Sequence, residues 1–567
     1  MNSQAASKLH LEPAPVGSFR NLFKYGKYDL LSGFLVFLIA LPLCLAISLA
    51  SGYPAMAGVM TAIVGGLVGA TMSNSELTIK GPAAGLIVIC LGCVLDFGGG
   101  LEATPEAKKL AYQAALAVSV VAALVQVSMA VLRAGVLSEF VPLAAVHGML
   151  SAIGLIIMTK QFPNVIGYDD PSHKLPGEPL AILTEIPRIL WRMNPAIAAI
   201  GVVGLLIMFI KPQLPFKFLK AIPGQLIVML VGIGMAFAFG VAQPHNYSFG
   251  DQQYQLSPKF LVSVPDNVLQ AITFPDFSVL NQVKAWKWIS LFAIIGSLET
   301  LLSSKAVDLL DPWKRKTDLN RDLMAVGCGN LVVSLIGGLP MISEIVRSRA
   351  NIDNGARTKF ANLFHAIFLL AAVAIFPSAL RMIPLAALAA MLIYTGFRLA
   401  HPNEFIHVYR VGIEQLAIFL VTIIGVLAID LLAGVAMGIG LKFLIVLCNG
   451  APLRSLFQAP IETRDEESSK RLVVHDSAIF CNWMPVRKAL LHAIEVEHRN
   501  VTVDFQDTAF VDHTVMERLH ELANDAERAG IRIDVVGLEK HVPASQHPQA
   551  ARTRRRMHKP GAFAQTV

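Results

Sequence analysis

A polar, helix-breaking stretch at residues 336–349 interrupts the apolar part of this sequence. It reads Ile-Gly-Gly-Leu-Pro-Met-Ile-Ser-Glu-Ile-Val-Arg-Ser-Arg, and apolar sequence typical of membrane spans lies on both sides. Backbone leaves helical geometry in lipid only where protein or a watery cavity covers it, and ionisable groups at that depth are costly. A helix that begins after the break directs free N–H groups and its positive dipole end at a ligand. The stretch therefore predicts half of an anion site.

The composition indicates the class of protein that contains this stretch. Of the 567 residues, 54% are hydrophobic and 15% are charged, whereas soluble domains carry about 25% charged residues. The formal net charge of +7 is small for this length, so it indicates basic cytoplasmic loops and not a nucleic-acid partner. Cys90 and Cys93 have a CxxC spacing, but they lie in an apolar segment and are interpreted as packing residues. The composition predicts a membrane protein with some soluble sequence attached, and no metal centre.

Fourteen apolar segments alternate with loops whose charges indicate their sides. With the N-terminus inside, the inner loops are short and basic, Lys80 among them, while the outer loops are longer and of mixed sign. This asymmetry predicts fourteen spans with both termini cytoplasmic. Segments 3, 10 and 12 are shorter than the roughly 20 residues of a full span. The predicted segments are 30–50, 54–72, 81–95, 111–132, 136–158, 195–210, 222–241, 286–303, 322–337, 343–355, 359–376, 384–397, 411–430 and 431–449.

Changes in composition divide the chain into four regions. Residues 1–29 are predicted to be a flexible cytoplasmic leader, and residues 30–450 the transmembrane domain. Residues 451–545 show an α/β rhythm, with predicted strands at 501–505 and 531–536 around a helix at 514–529. The polar, basic residues 546–567 are predicted to be a disordered tail.

The first half of the chain contains a second break that corresponds to the first one. Transporters often bind their substrate between two interrupted helices in equivalent places of two repeats. Gly81-Pro82-Ala83-Ala84-Gly85 opens segment 3, which corresponds to segment 10 of a seven-plus-seven arrangement. Pro is tolerated at a helix start, and Gly allows a ligand to approach the backbone closely. Ordinary kinks are the alternative interpretation. The predicted substrate-binding residues are Gly81, Pro82, Ala83, Ala84, Gly85, Ile342, Ser343, Glu344, Ile345 and Arg347.

A second intramembrane carboxylate lies in segment 8. Glu299 and Ser303 are four residues apart and so share a helix face. A carboxylate near an anion site repels the substrate unless it binds a proton or cation that travels too, so these residues are predicted to bind a coupling ion, H⁺ or Na⁺. A structural ion pair with Arg347 or Lys305 is the alternative. Glu344 is a second candidate proton carrier, although a cap for its own helix is the favoured interpretation.

These motifs together resemble the sulfate permease (SulP) family, the bacterial relatives of prestin and the animal multifunctional anion exchangers. The resemblance covers nearly the whole chain from residue 29. It implies a seven-plus-seven inverted repeat of uracil-permease type, a core domain that moves like an elevator against a gate domain, a homodimer and a cytoplasmic STAS domain over residues 470–545. The matching pieces are Leu41-Pro42, Gly52-Tyr-Pro54, Ser75 to Pro82, Gly296-Ser-Leu-Glu-Thr, Gly337-Gly-Leu-Pro, Arg347-Ser and Asn354-Gly-Ala-Arg-Thr358.

The resemblance also assigns roles to individual positions. Glu299 stands where family members keep the acidic residue tied to sodium or proton coupling, and Ser303 matches a hydroxyl beside the sodium site of cyanobacterial bicarbonate carriers. Arg347 matches the arginine that lines the anion pocket of the animal members. The cyanobacterial carriers have Asp in place of Glu299, so both Na⁺ and H⁺ stay open.

The predicted function is secondary transport of a small inorganic anion, bicarbonate or sulfate, across the inner membrane by an elevator-type movement. One alternative is a dicarboxylate or nucleobase carrier of the same fold. The other is a membrane-anchored STAS regulator with vestigial transport, in which the module binds a cytoplasmic protein. An enzyme is not expected, because the sequence contains no HExxH, Walker loop or nucleophile elbow.

Overall fold

Fourteen helices in the described part of the chain overlap the fourteen predicted segments, although α5 begins seven residues later than predicted. The computed structural model describes residues 14–554 except 101–102, 140–141, 171, 174, 177, 216–221, 251, 266–267, 457, 467–468 and 529. The helices are α1 Phe19–Ala50, α2 Ala55–Thr71, α3 Ile87–Asp96, α4 Pro105–Val131, α5 Leu143–Val165, α6 Pro195–Ile210, α7 Gly224–Ala238, α8 Val283–Leu310, α9 Leu319–Ile336, α10 Ile345–Asp353, α11 Phe360–Ile375, α12 Leu385–Leu399, α13 Ile413–Ala428 and α14 Leu431–Cys448.

The helices differ in whether they can cross a bilayer. Within the described ranges, eight stretches of helix are long and apolar enough to cross a membrane, and five further apolar helices have 10–17 residues. Helix α10 has 9 residues and falls in neither group. Short helices at Pro179–Thr184, Ile186–Trp191, Pro377–Leu380 and Pro402–Val411 lie in the connections. The predicted polytopic helical architecture, with short third and tenth helices, is therefore confirmed.

The chain divides into two compact units. Unit 1 consists of Met1–Gly135 and Ile153–Leu399, and unit 2 consists of Val136–Ala152 and Ala400–Val567. Unit 1 contains two small sheets. One is the antiparallel pair β1 Ile79–Pro82 and β4 Met341–Glu344, and the other is the hairpin β2 His245–Phe249 and β3 Gln252–Leu256. The hairpin lies in a predicted outer loop, whereas β1 and β4 are the two predicted breaks.

Unit 2 includes the predicted α/β module. One sheet has the order β10-β8-β6-β5 and the other β11-β12-β9-β7. Strands β8 and β10 are parallel, with Val501 opposite Ile533, and a buried core that includes Trp483 and Phe505 packs against them. The predicted strand, helix, strand order is therefore confirmed. The elements are β5 Ile461–Asp465, β6 Ser469–Val474, β7 Asp476–Ala478, α15 Trp483–Leu491, β8 Asn500–Asp504, β9 Thr508–Val511, α16 His513–Arg528, β10 Ile533–Val536, β11 His541–Pro543 and β12 Arg552–Arg554.

The predicted leader ends earlier than expected. Helix α1 begins at Phe19 and not at residue 30, so residues 19–29 are helical. The buried carboxylate in this stretch has partners, because Asp29 accepts hydrogen bonds from the backbone N–H groups of Arg357 and Thr358 at 2.8 and 3.0 Å. A buried carboxylate that is satisfied in this way does not interrupt a helix. Residues 1–13 of the predicted leader lie outside the described residues.

The predicted disordered tail begins too early. Residues 552–554 form β12, which pairs with β9 through Arg552 opposite Val511 and with β11 through Thr553 opposite Val542. Strand pairing uses backbone N–H and C=O groups, so polar side chains do not prevent it. The prediction of disorder is wrong for residues 546–554, and residues 555–567 lie outside the described residues.

Candidate functional site

The two predicted breaks meet in a two-stranded antiparallel ribbon, β1 with β4. Gly81 lies opposite Ile342 and Lys80 opposite Ser343. Helix α9 ends before the ribbon because Gly337 adopts a left-handed φ of 100°, a conformation that a side chain strongly disfavours. The structure thus places both halves of the candidate site together within unit 1. Both halves lie on extended backbone, whereas the sequence analysis predicted helix starts at these positions.

Each strand leads into a short helix, although later than predicted. After β1, Ala83 is extended and Ala84–Leu86 form one 3-10 turn before α3 begins at Ile87. After β4, α10 begins at Ile345. The predicted starts at 81 and 343 are wrong, because strand pairing takes up residues 79–82 and 341–344. Helix α10 thus follows directly on the ribbon and α3 follows it after one 3-10 turn, and the first N–H groups of a helix lack partners within the helix.

Side chains from neighbouring helices satisfy the ribbon's outer edges. On the β1 side, Ile79 N–H donates to the Ser348 hydroxyl at 2.8 Å, and the Asn351 amide donates to Leu77 C=O at 3.0 Å. On the β4 side, Met341 N–H donates to Asn330 Oδ1 at 2.6 Å, and Asn330 Nδ2 donates back to Met341 C=O at 3.1 Å. An isolated two-stranded ribbon is marginally stable. These side chains explain how extended backbone is held among membrane helices.

Arg347 joins the two halves of the site. Its guanidinium is 1% exposed. Nη2 donates to the Pro82 carbonyl at 2.5 Å, Nη1 lies 3.6 Å from Cys44 Sγ, and Nε lies 4.0 Å from a Glu344 carboxylate oxygen. A Cβ at Gly81 would lie 2.6 Å from Nη1, so any larger residue there would displace the guanidinium. Within the described ranges Nε has no hydrogen-bond partner. A buried cation with an unused donor at two helix starts is suited to hold an anion.

Glu299 lies against the start of the other half. The carboxylate is buried on α8, and a Cβ built on Gly85 would lie 2.1 Å from its Oε1. That oxygen has no hydrogen-bond partner among the described residues. Ser303 follows one helical turn later and is also buried. The contacts described for Arg347 are to other groups, so the alternative of a Glu299–Arg347 ion pair is not supported. Glu299 and Ser303 can together hold a proton or a small cation.

Two predicted assignments in the ribbon are wrong. Glu344 occupies the N-cap position of α10, but its side chain makes no capping hydrogen bond to the described residues, and a carboxylate oxygen lies 4.0 Å from Arg347 Nε. Lys80 is not an inner-loop residue: it is fully buried in β1 and forms an ion pair with Asp322 at 2.8 Å. Lys80 and Asp322 both adjoin predicted loops, so the sequence did not predict that they form an ion pair.

The family of the chain follows from its sequence. The model of the sulfate permease family matches residues 27–422, which include the ribbon, Glu299 and Arg347. The chain belongs to the sulfate permease family. Membership in this family makes the chain a multi-pass membrane transporter and not an enzyme.

Individual relatives agree with this assignment. The chain is 22% identical to "Putative sulfate transporter YvdB" of Bacillus subtilis, with 92% of each protein covered. It is 26% identical to "Bicarbonate transporter BicA" of Picosynechococcus, over 77% of this chain and 70% of that protein. The solved structure of SLC26A9 is similar with a TM-score of 0.66 at 16% identity, covering 91% of this chain and 85% of that one. The structural similarity extends beyond the fourteen helices, as expected for a sulfate permease with a STAS-like module.

Proposed function

We propose that this protein is a secondary transporter of a small inorganic anion, bicarbonate or sulfate, driven by H⁺ or Na⁺. The observation that carries the proposal is the position of Arg347. Its buried guanidinium spans from α10 to the last residue of β1 and keeps one donor without a partner in the described ranges. A short helix follows each strand of the ribbon, α10 directly and α3 after one 3-10 turn. Bicarbonate and sulfate are both supported, because relatives are named for each.

Coupling is proposed to reside at Glu299 and Ser303. If Glu299 is ionised, it opposes an anion held by Arg347, because charges in a desolvated site interact strongly. A proton on Glu299, or a cation shared with Ser303, removes this repulsion. The lack of a described hydrogen-bond partner for Oε1 supports a role in binding such an ion. An uncompensated buried carboxylate otherwise destabilises the fold.

The decisive test is uptake into proteoliposomes of purified protein, comparing the wild type with Glu299→Gln. Labelled bicarbonate and labelled sulfate are offered in turn under an imposed Na⁺ or H⁺ gradient. We expect gradient-driven accumulation of one anion that Glu299→Gln abolishes, whereas counterflow exchange of the same anion survives. Glu106→Gln is the matched control, because Glu106 is an exposed carboxylate at the start of α4.

Each result has a definite meaning. Wild-type accumulation by Glu299→Gln overturns coupling through this residue but leaves anion transport intact. Lack of uptake of either anion by the wild type overturns the substrate class, and dicarboxylates are the next substrates to test. The ion whose gradient drives uptake is the coupling ion.

Three further features belong to the proposal. The protein is placed in the inner membrane with both termini in the cytoplasm, since this topology best fits the loop charges. It works as a homodimer in which a core domain that contains α3, α8 and α10 moves like an elevator against a gate domain. Its STAS-like module binds a cytoplasmic protein partner. Crosslinking in native membranes tests the dimer, and accessibility of an engineered cysteine on each side tests the topology.

A further inference from the structure

Asp322, on the first turn of α9, is a buried carboxylate that the proposed transport mechanism does not use. It is fully buried, and each of its two oxygens has two partners. Oδ1 accepts the Ser73 hydroxyl at 2.5 Å and pairs with Lys80 Nζ at 2.8 Å. Oδ2 accepts the Ser304 hydroxyl at 2.6 Å and the Ser343 hydroxyl at 2.8 Å.

These four partners come from four different parts of unit 1. Ser73 lies between α2 and β1, Lys80 is in β1, Ser343 is in β4, and Ser304 is in α8. Oδ1 therefore joins the approach to β1 with β1 itself, and Oδ2 joins β4 with α8. Helix α8 carries Glu299 and Ser303, while β1 and β4 carry the anion site. The carboxylate therefore hydrogen-bonds both the helix of the proposed coupling ion and the ribbon of the proposed anion site.

The link lies on one face of the ribbon only. Lys80 and Ser343 are directly opposite in the register, and both contact Asp322. Gly81 and Ile342 are the next opposed pair, and their side-chain directions point to the other face because strands alternate. Arg347 lies on that other face, against Gly81. Hence the Ser343 hydroxyl, predicted to bind substrate, is used by Asp322.

We propose that Asp322 is a positioning residue that couples the ion site on α8 to the anion ribbon. Lys80 balances its charge, which leaves the pair with no net charge beside the anion site. The hydroxyls of Ser304 and Ser343 transmit the position of α8 to β4 through the single oxygen Oδ2. Without them the two sites still exist, but binding at one no longer sets the geometry of the other. This proposal rests on the proposed function of the protein.

The test removes the two hydroxyls and keeps the ion pair. Ser304→Ala/Ser343→Ala retains Asp322 with Lys80, so it creates no unpaired buried charge, and Ser304→Ala alone is the milder variant. Ser334→Ala is the matched control, because Ser334 is a buried serine on α9 whose hydroxyl has no partner in the part of the chain that the structure describes. Size-exclusion profiles confirm that each variant is folded.

The readout is the ratio of gradient-driven accumulation to counterflow exchange in proteoliposomes. The loss of a hydrogen bond to a charged group corresponds to about a tenfold change in an equilibrium constant. We expect the double variant to lower this ratio about tenfold, Ser304→Ala to lower it less, and Ser334→Ala to leave it unchanged. A merely structural role would reduce both activities together and leave the ratio unchanged.

The outcomes separate this inference from the proposed function. If wild-type protein accumulates the anion and the double variant keeps the wild-type ratio, the positioning role of Asp322 is overturned and the transport function stands. If the wild type exchanges no anion, the proposed function itself fails. If both variants lose all activity while Ser334→Ala keeps it, the hydroxyls are structural and the coupling role is overturned.

Discussion

Glycine at position 85 is the most direct test of the site geometry. A Cβ built there would lie 2.1 Å from Glu299 Oε1, 2.5 Å from Oε2 and 2.6 Å from Cδ, whereas real Cβ contacts essentially never fall below 3.0 Å. In Gly85→Ala the carboxylate must therefore retreat by about 0.9 Å to reach even that limit. Because Glu299 is buried on a packed helix, the retreat displaces either the side chain or the start of α3.

The magnitude of the effect follows from the cost of overpacking. Inserting a methyl group into a packed interior costs about 1–3 kcal/mol, which corresponds to a factor of about 5–150. We expect Gly85→Ala to lower the initial rate of gradient-driven anion uptake into proteoliposomes by a factor within this range. Gly234→Ala is the control, since a Cβ on this α7 glycine has no described atom within 4 Å.

A compensating substitution makes the test specific. Glu299→Asp shortens the side chain by one bond, about 1.5 Å, which exceeds the overlap. Gly85→Ala/Glu299→Asp should therefore transport faster than Gly85→Ala alone, even if Glu299→Asp by itself is slow. Wild-type uptake by Gly85→Ala, or a double variant that is slower than either single variant, would refute the contact between Gly85 and Glu299.

Three further predictions concern unit 2. Lys442 and Asp512 form a fully buried ion pair, so Lys442→Met should lower the free energy of unfolding by about 3–5 kcal/mol in thermal melts, and Lys442→Met/Asp512→Leu should recover most of it. Burial raises the pKa of Cys481 to about 11, so its thiol should react about 100-fold more slowly with maleimide at pH 8 than an ordinary thiol, unlike exposed Cys448. Burial, with Glu521 nearby, raises the pKa of Glu517. Ionisation of Glu517 therefore opposes folding, and stability is lost as pH rises from the ordinary glutamate pKa of 4.5 towards the raised pKa. Glu517→Gln should be more stable than wild type at pH 7 but equal to it at pH 4 in the same melts.

The sequence predicted those parts of the fold that local patterns encode. Apolar segments with basic loops specify helices regardless of tertiary context, so each of the fourteen segments overlaps a helix in the described residues. The paired breaks were also predictable, because Gly and Pro at equivalent positions of two repeats mark interrupted helices. Arg347 and Glu299 were identified because ionisable groups inside apolar segments are conspicuous.

The rest depends on contacts between residues distant in sequence. Lys80 and Asp322 each adjoin a predicted loop, where a charge normally meets water, and only the fold brings them together. Asn330 has no unusual local context, yet it makes a two-point contact with the backbone of Met341. The amino-acid composition of residues 552–554 likewise does not indicate that β12 pairs with β9. No local period encodes any of these pairings, and so the sequence did not predict the pairing of β1 with β4, the buried ion pair or the order at residues 552–554.

The charges around the ribbon supply a physical reason for coupled transport. On one face, Lys80 and Asp322 cancel each other. On the other, Arg347 contributes one positive charge, while Glu344 lies 4.0 Å from it and Glu299 lies against Gly85. If both carboxylates are ionised, this face carries a net negative charge and repels an anion. Adding one proton or one cation brings the face to neutrality, and the unused donor of Arg347 can then bind the anion. Anion affinity should therefore rise with the concentration of the coupling ion, and by linkage the anion should tighten binding of that ion by the same factor.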